Sequence, residues 1–244
     1  MTRYAIISDV HSNFEALEAV AADLTRYAVD RLVCCGDVVG YGAEPLLCIE
    51  RARDLLVQYG ESAHVLGNHD HATVSGEVEN FSTNAAIAAL WTRDRLSSTE
   101  RRWLSEAPLI WSENNLLFTH GSPTHPEKWR YLWDPQQIER EFSSFSEQVC
   151  FVGHTHEPFI CVARAGRFAS DTAFRIPAGK RCIVNVGSVG QPRDGDPRAA
   201  YCIYDDVDQL LSIHRVQYDI HTAARKIIRA GLPEALAERL FFGF

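Results

Sequence analysis

The stretch Leu32-Val-Cys-Cys-Gly-Asp37-Val-Val-Gly-Tyr-Gly42 is a short apolar run that stops at Gly36-Asp37 and gives way to a glycine-rich turn. Val, Leu and Cys bounded by glycines fit a buried strand of a parallel sheet. A carboxylate just past such a strand lies where α/β folds bind their ligands. Taken alone, Gly-Asp after a strand is an ordinary turn. Four other segments end the same way, however. Asp9-Val-His11, Gly67-Asn68-His69-Asp70, Thr119-His120-Gly121 and Gly153-His154-Thr155-His156 each follow a short apolar run. So many strand ends carrying Asp, His and Asn point to a metal site.

Carboxylate, imidazole and amide oxygen together are ligands for first-row transition metals, with no thiolate required. They suit two ions held about 3.5–4 Å apart, which clamp the attacking and leaving oxygens of an in-line displacement. Asp9 and His11 are two apart on an extended segment and point to one side, so both can reach one ion. Asn68 offers a neutral amide oxygen, and His154 and His156 can face different ions. Asp37, central in the order of motifs, is the candidate bridge. His64, inside a strand, reads as a core or edge histidine.

Asp9-x-His11, Gly36-Asp37, Gly67-Asn68-His69-Asp70, His120 and Gly153-His154-x-His156 together resemble the motif series of the calcineurin-like metallophosphoesterases. Asn185-Val-Gly-Ser-Val-Gly190 is similar to a segment of the small bacterial, phosphodiesterase-type members. The resemblance implies a four-layer αββα sandwich, an α/β fold with two facing mixed sheets flanked by helices. It implies a hydroxide generated by a dinuclear centre, with Mn or Fe as the ions and Zn, Ni or Mg as alternatives. It assigns His154 to the ion shared with Asn68 and His120, and His156 to the ion shared with Asp9 and His11. It makes His69 the group acting on the leaving oxygen and Asp70 the acid that orients it. A histidine held by a carboxylate can supply a proton near neutral pH.

The chain has 244 residues, 23% charged and 46% hydrophobic, with a formal net charge of −8. That length allows one large α/β domain over 1–244. The charge gives no support to binding nucleic acid or an anionic membrane. No run approaches the ~20 apolar residues of a membrane span. The N-terminus enters a strand at once without a signal-peptide cleavage region. Seven cysteines, several inside apolar runs, read as buried hydrophobes of a reducing, cytoplasmic setting.

In chain order, Tyr4–Ser8 is read as the first strand, and Ser12 or Asn13 caps a helix with apolar Phe14, Leu17, Val20 and Leu24. Glu44-Pro45 opens a second helix, and 62–66 is a third strand. Residues 72–106 form a helical insertion with signals at Thr83–Trp91 and Ser98–Leu104. Trp91 and Trp103 are core anchors there. After the strand 115–119, the aromatic loop 122–133 is either a specificity wall or a cover for a sheet edge. Short alternating runs beyond His156 indicate an antiparallel section. One C-terminal helix, about 220–241, docks on the domain.

The function expected is metal-dependent hydrolysis of a phosphodiester or a dinucleoside polyphosphate, a small-molecule ester or nucleotide. The alternatives are a phosphomonoesterase and a metal-binding scaffold without catalysis, like the retromer-type relative. Serine/threonine protein phosphatases and symmetrical dinucleoside tetraphosphatases carry an arginine shortly after Gly-Asp, where this chain has Val38-Val39-Gly40. A dianionic monoester would miss that bidentate clamp. Arg193, in the glycine-rich loop 187–196, is the candidate substrate-binding cation, unless Asp194 or Asp196 claims it.

Overall fold

The structure, a computed structural model, describes residues 2–60, 63–169 and 173–244. Strands β1 (Arg3–Ile7), β2 (Arg31–Cys34) and β3 (Ala63–His64) pair in parallel, linked by helices α1 (Phe14–Leu24) and α2 (Pro45–Gln58). Asn13 caps α1 by accepting from Ala16 N, and Pro45 starts α2. The strand expected over 62–66 is shorter than read, and Ser62 lies outside the described residues.

Three helices follow: α3 (Asn68–Ser75), α4 (Thr83–Arg93) and α5 (Ser98–Ser105). The first was not expected. It has no amphipathic period to announce it, because its first turn consists of Asn68, His69 and Asp70. Trp91 anchors the C-terminal region through Nε1 to the Ala230 carbonyl (3.1 Å), and Trp103 stacks on His64, so both are structural. A hairpin, β4 (Ile110–Glu113) and β5 (Leu116–Thr119), turns at Asn114-Asn115 with φ of 48° and 66°. Asparagine tolerates that left-handed geometry.

Helix α6 (Pro135–Glu141) leads to β6 (Val149–Val152), then β7 (Phe159–Val162), β8 (Gly166–Ala169), β9 (Phe174–Arg175), β10 (Cys182–Asn185), β11 (Ala199–Asp205) and β12 (Leu210–Val216). One sheet runs β3-β2-β1-β11-β12-β9 and the other β4-β5-β6-β10-β7-β8. The later strands are antiparallel, with one departure from expectation: β10 pairs parallel to β6.

Alternation along buried strands supplies three layers of core. Tyr4, Ile6, Val33 and Cys35 face between the sheets, against Phe118 and Phe151. Their sequence neighbours Ala5, Ile7, Leu32 and Cys34 face outward under α1 and α2. Leu117, Cys150 and Ile183 on the second sheet pack outward against Ile138 and Phe142, at and just beyond α6. Both faces of each sheet are covered, which is the αββα sandwich expected. Fully burying one side chain such as Phe151 contributes about 1.5–3 kcal/mol. All seven cysteines are free and buried.

The C-terminal segment corrects the single helix expected over 220–241. It forms α7 (Ile220–Arg229), α8 (Glu234–Glu238) and a 3-10 turn (Arg239–Phe241). Gly231 at φ 73° ends α7, and Pro233, lacking an N–H, cannot continue it. Among the described residues no helix is long and apolar enough to cross a membrane.

Candidate metal centre

The β1–β2 ladder continues past the strands. Asp9 N donates to Gly36 O, His11 N to Asp37 O and Ser12 N to Val38 O, all near 3.0 Å. The other sheet joins at this edge: His154 N donates to Asp9 Oδ2 (3.0 Å), and Gly190 N to the Asp9 carbonyl (2.9 Å). His69 N, in the first turn of α3, donates to Asp37 Oδ1 (2.8 Å). Each carboxylate is thus pinned by one oxygen while the other stays toward the site.

Close approach requires two of the glycines. A Cβ on Gly67 would lie 2.0 Å from Asp37 Oδ1, and one on Gly153 would lie 1.9 Å from Ser8 Oγ. The loops are also strained. Asp9, His11, Asp37, His154 and His156 all have φ between 50° and 67°. Left-handed backbone at non-glycine residues costs about 1 kcal/mol or more each and concentrates at functional sites.

All the expected ligands come together and all but Asn68 are buried. Groups of mutually close donors are Asp9, His11 and His156; His11, Asp37 and His69; and Asp37, His120 and His154. Asn68 Oδ1 joins the last at 3.1 Å from His120 Nε2. Asp37 Oδ2 faces both His120 Nε2 (3.2 Å) and His11 Nε2 (3.7 Å).

Whether a cation fits can be read from the tautomers. Backbone carbonyls only accept, so the ring nitrogen facing one carries the proton. His11 Nδ1 meets Val39 O (3.1 Å), His156 Nδ1 meets Gln191 O (2.6 Å) and His120 Nδ1 meets Cys35 O (2.7 Å). In the neutral rings the Nε2 atoms then carry lone pairs. Yet His11 Nε2 and His156 Nε2 are only 3.1 Å apart, with Asp9 Oδ1 3.2 Å from the latter. Lone pairs converging around carboxylate oxygens suit a shared cation, and the donor set fits a divalent metal. Among the described residues the buried His154 Nε2 has no hydrogen-bond partner.

The electrostatics agree. Burial opposes charge on His120, but the Asp37 carboxylate outweighs it and pushes the ring up to about 9. Burial would raise Asp9, yet His156, His11 and His120 hold it well below the usual carboxylate range. His156 is lowered to about 4 by burial and by Arg193, and His154 to about 3 by burial and His120. Neutral His154 and His156 beside the ionised Asp9 are in the form metals bind, and at His120 a cation would take the place of the proton that Asp37 stabilises.

His69 and Asp70 do not form the pair expected of them. Asp70 Oδ1 accepts from Val39 N (3.1 Å) and Oδ2 from Gly67 N (3.3 Å), so the carboxyl ties α3 to the turn after Asp37. Burial and Asp37 raise it to about 7. His69 Nδ1 has no hydrogen-bond partner among the described residues, and its ring lies among Tyr41, Phe81 and His11 at 4.3–4.9 Å. Burial holds it neutral, Asp37 opposing.

Above this floor opens a cleft of about 800 Å³, walled by Tyr41, Phe81, Trp129, Tyr131, Arg193 and Arg239. Tyr131 stacks on His154 at 3.9 Å and Trp133 on Tyr131 at 4.5 Å, so the loop 122–133 forms a wall of the site. His125 faces Glu127 and is exposed. Arg193 escapes its acidic neighbours, because Asp194 pairs with Arg215 and Asp196 with Arg198. Sequence reasoning missed Tyr41, Phe81 and Arg239. Tyr41 stood in the quoted glycine turn, but nothing local marks the others.

A model of the calcineurin-like phosphoesterase superfamily domain matches residues 2–209. The chain belongs to that superfamily. An uncharacterized protein of Methanocaldococcus jannaschii is 41% identical over 98% of this chain and 97% of its own length. A metallophosphoesterase of Sphaerobacter thermophilus superposes with a TM-score of 0.88 at 37% identity, over 100% of this chain and 99% of that one. A hypothetical protein of Pyrococcus horikoshii OT3 shares the fold at TM-score 0.82 and 18% identity, over 100% and 99%. Membership makes this calcineurin-like phosphoesterase a metal-dependent phosphoric ester hydrolase.

Proposed function

We propose that this phosphoesterase hydrolyses a phosphodiester, or the anhydride of a dinucleoside polyphosphate, at a centre of two divalent cations, Mn or Fe. The observation that carries the reading is the position of Asp37 Oδ2, which faces Nε2 of both His11 and His120. Asp9, His11 and His156 would hold one ion, and Asn68, His120 and His154 the other, with Asp37 shared. Bound there, such ions neutralise charge on the phosphoryl oxygens and acidify a water near neutral pH.

The chain's own groups do the rest. The His69 ring, fixed by α3 and enclosed by Tyr41 and Phe81, presents an imidazole at the mouth of the floor for the leaving oxygen. Asp70 acts through the backbone by holding the Val38–Gly40 turn against which that ring packs.

A diester suits the site because no arginine follows Gly36-Asp37 to meet the extra charge of a monoester. A phosphomonoesterase remains the second reading on one observation: Arg193 has no carboxylate partner among the described residues. The test compares kcat/KM for bis(4-nitrophenyl) phosphate and 4-nitrophenyl phosphate at one pH and metal, before and after Arg193→Ala. The diester is expected to be preferred. A better monoester whose turnover vanishes with Arg193→Ala reverses the assignment, and metal uptake with no hydrolysis of either leaves the scaffold.

A further inference from the structure

Two guanidiniums share the cleft mouth. Arg193 comes from the loop after β10, Arg239 from the C-terminal 3-10 turn. Arg193 Nη2 donates to the Tyr41 hydroxyl (3.2 Å) and to Gln191 Oε1 (3.0 Å). Arg239 Nη1 donates to that same Gln191 oxygen (3.2 Å). Their Cζ atoms lie 5.6 and 5.8 Å from the centroid of the Tyr41 ring.

Like charges so close repel, and burial first, then Arg193, works against the charge on Arg239. Among the described residues neither arginine forms an ion pair with a carboxylate, and Arg193 Nε is buried with no partner. One amide oxygen and the phenols of Tyr41 and Tyr131 leave the pair under-neutralised, and guanidinium forks match phosphate oxygens. The arrangement calls for an anion.

Its position says which anion. The Tyr41 ring that carries both arginines also lies 4.6 Å from His11 and 4.3 Å from His69. The subsite is therefore one aromatic ring from the floor, within reach of a group joined to the scissile phosphate. The scissile phosphate itself belongs over the cluster of Asp37 and the histidines. Phe81, Trp129 and Phe244 line the cleft beyond, offering flat apolar surface to a base.

We propose that Arg193 and Arg239 form a second anion subsite for the phosphate next to the one attacked. The substrate class is then a nucleoside or dinucleoside polyphosphate in preference to a simple diester. This rests on the dinuclear phosphoesterase reading and narrows it.

Diadenosine tetraphosphate and bis(4-nitrophenyl) phosphate are compared on Mn²⁺-loaded wild type and Arg239→Gln. The variant lowers kcat/KM for the tetraphosphate about 10- to 100-fold, mostly through KM, as expected for one lost hydrogen bond to a charged group. The loss on the simple diester is at least about tenfold smaller, since it has no neighbouring phosphate to hold. Arg239→Lys, keeping charge without the fork, recovers part of it. Calorimetric titration with a methylene-bridged, non-hydrolysable ATP analogue shows the same weakening without turnover.

Equal losses on both substrates overturn the subsite, as does an unchanged analogue affinity. A larger loss on 4-nitrophenyl phosphate also overturns it, because the arginines would then clasp the scissile phosphate. Wild type that cleaves neither substrate sinks the phosphoesterase reading, while the titration still decides the subsite.

Discussion

The floor of the site and its rim are built on different principles. Every floor residue except Asn68 is buried within a few residues of a strand end, and hydrogen bonds that continue the sheet ladders or end on the Asp9 and Asp37 carboxylates hold these loops. The rim is drawn from the α3–α4 connection, the aromatic loop after β5, the loop after β10 and the chain's last turns. Its side chains are half-buried or exposed, held by ring stacking and by shared polar atoms such as Gln191 Oε1. Rigid ladders suit groups whose separation must stay constant for metal chemistry. Looser segments suit a surface that chooses what lies above it.

If the floor is a single dinuclear unit, Asp37→Ala should lose both ions and reduce hydrolysis to background. Elemental analysis of the metal-loaded variant checks this. Retention of one full equivalent would make Asp37 a terminal ligand and divide the floor in two. Wild type loading no more than one ion breaks the dinuclear reading itself.

His69 stands between the two regions, with its backbone on Asp37 and its ring among Tyr41 and Phe81. His69→Ala should keep the metals and lower turnover about 10²–10⁴-fold for a poor leaving group. The loss should shrink for nitrophenyl esters, which hardly need protonation. Equal losses on both would move His69 into the floor as a ligand.

Rigidity of the floor can be probed without touching a ligand. Gly153→Ala puts a methyl 1.9 Å from Ser8 Oγ and 2.4 Å from Asp9 Oδ2. It should cost about 1–3 kcal/mol, as overpacking does in close-packed interiors, and appear as a lower urea midpoint. Gly179→Ala, where no atom lies within 4 Å but φ is 69°, isolates backbone strain from crowding. Matching losses would mean that the floor is no more tightly packed than a surface turn.

The smallest effect belongs to the wall. Tyr131→Leu removes a ring stacked on both His154 and Trp133. It should raise KM by about two- to tenfold, the 0.5–1.5 kcal/mol of an aromatic pair, with little change in kcat. A collapse in kcat with metal loss would place Tyr131 among the supports of the floor.

Much of the floor could be read from the chain because each candidate ligand follows an apolar run of strand length, and Asp37, Asn68, His120 and His154 also adjoin a glycine. Those signals are local: the alternation of a buried strand, its abrupt end, and a donor residue just beyond. Asp9, His11, Asp37, His120, His154 and His156 all obey this rule, and the parallel ladders then carry them to one edge. Asn68, His69 and Asp70 obeyed it in part, since they open a helix whose polar first turn hides it.

Tertiary structure decided the rest. Asp70 was expected to hold the ring beside it, but helical geometry turns adjacent side chains to different faces, and its carboxyl reaches Val39 N and Gly67 N instead. Arg239 reaches the cleft because Gly231 and Pro233 break the C-terminal helix and redirect its last turns. Among the described residues Arg193 is left without a carboxylate partner because Arg215 and Arg198 take its acidic neighbours. A strand announces its end through a few consecutive residues, so the sequence alone picked out the candidate donors that the fold brings together. Which distant cations and rings close over that floor depends on contacts between segments with no common period, and these exist only once the chain has packed.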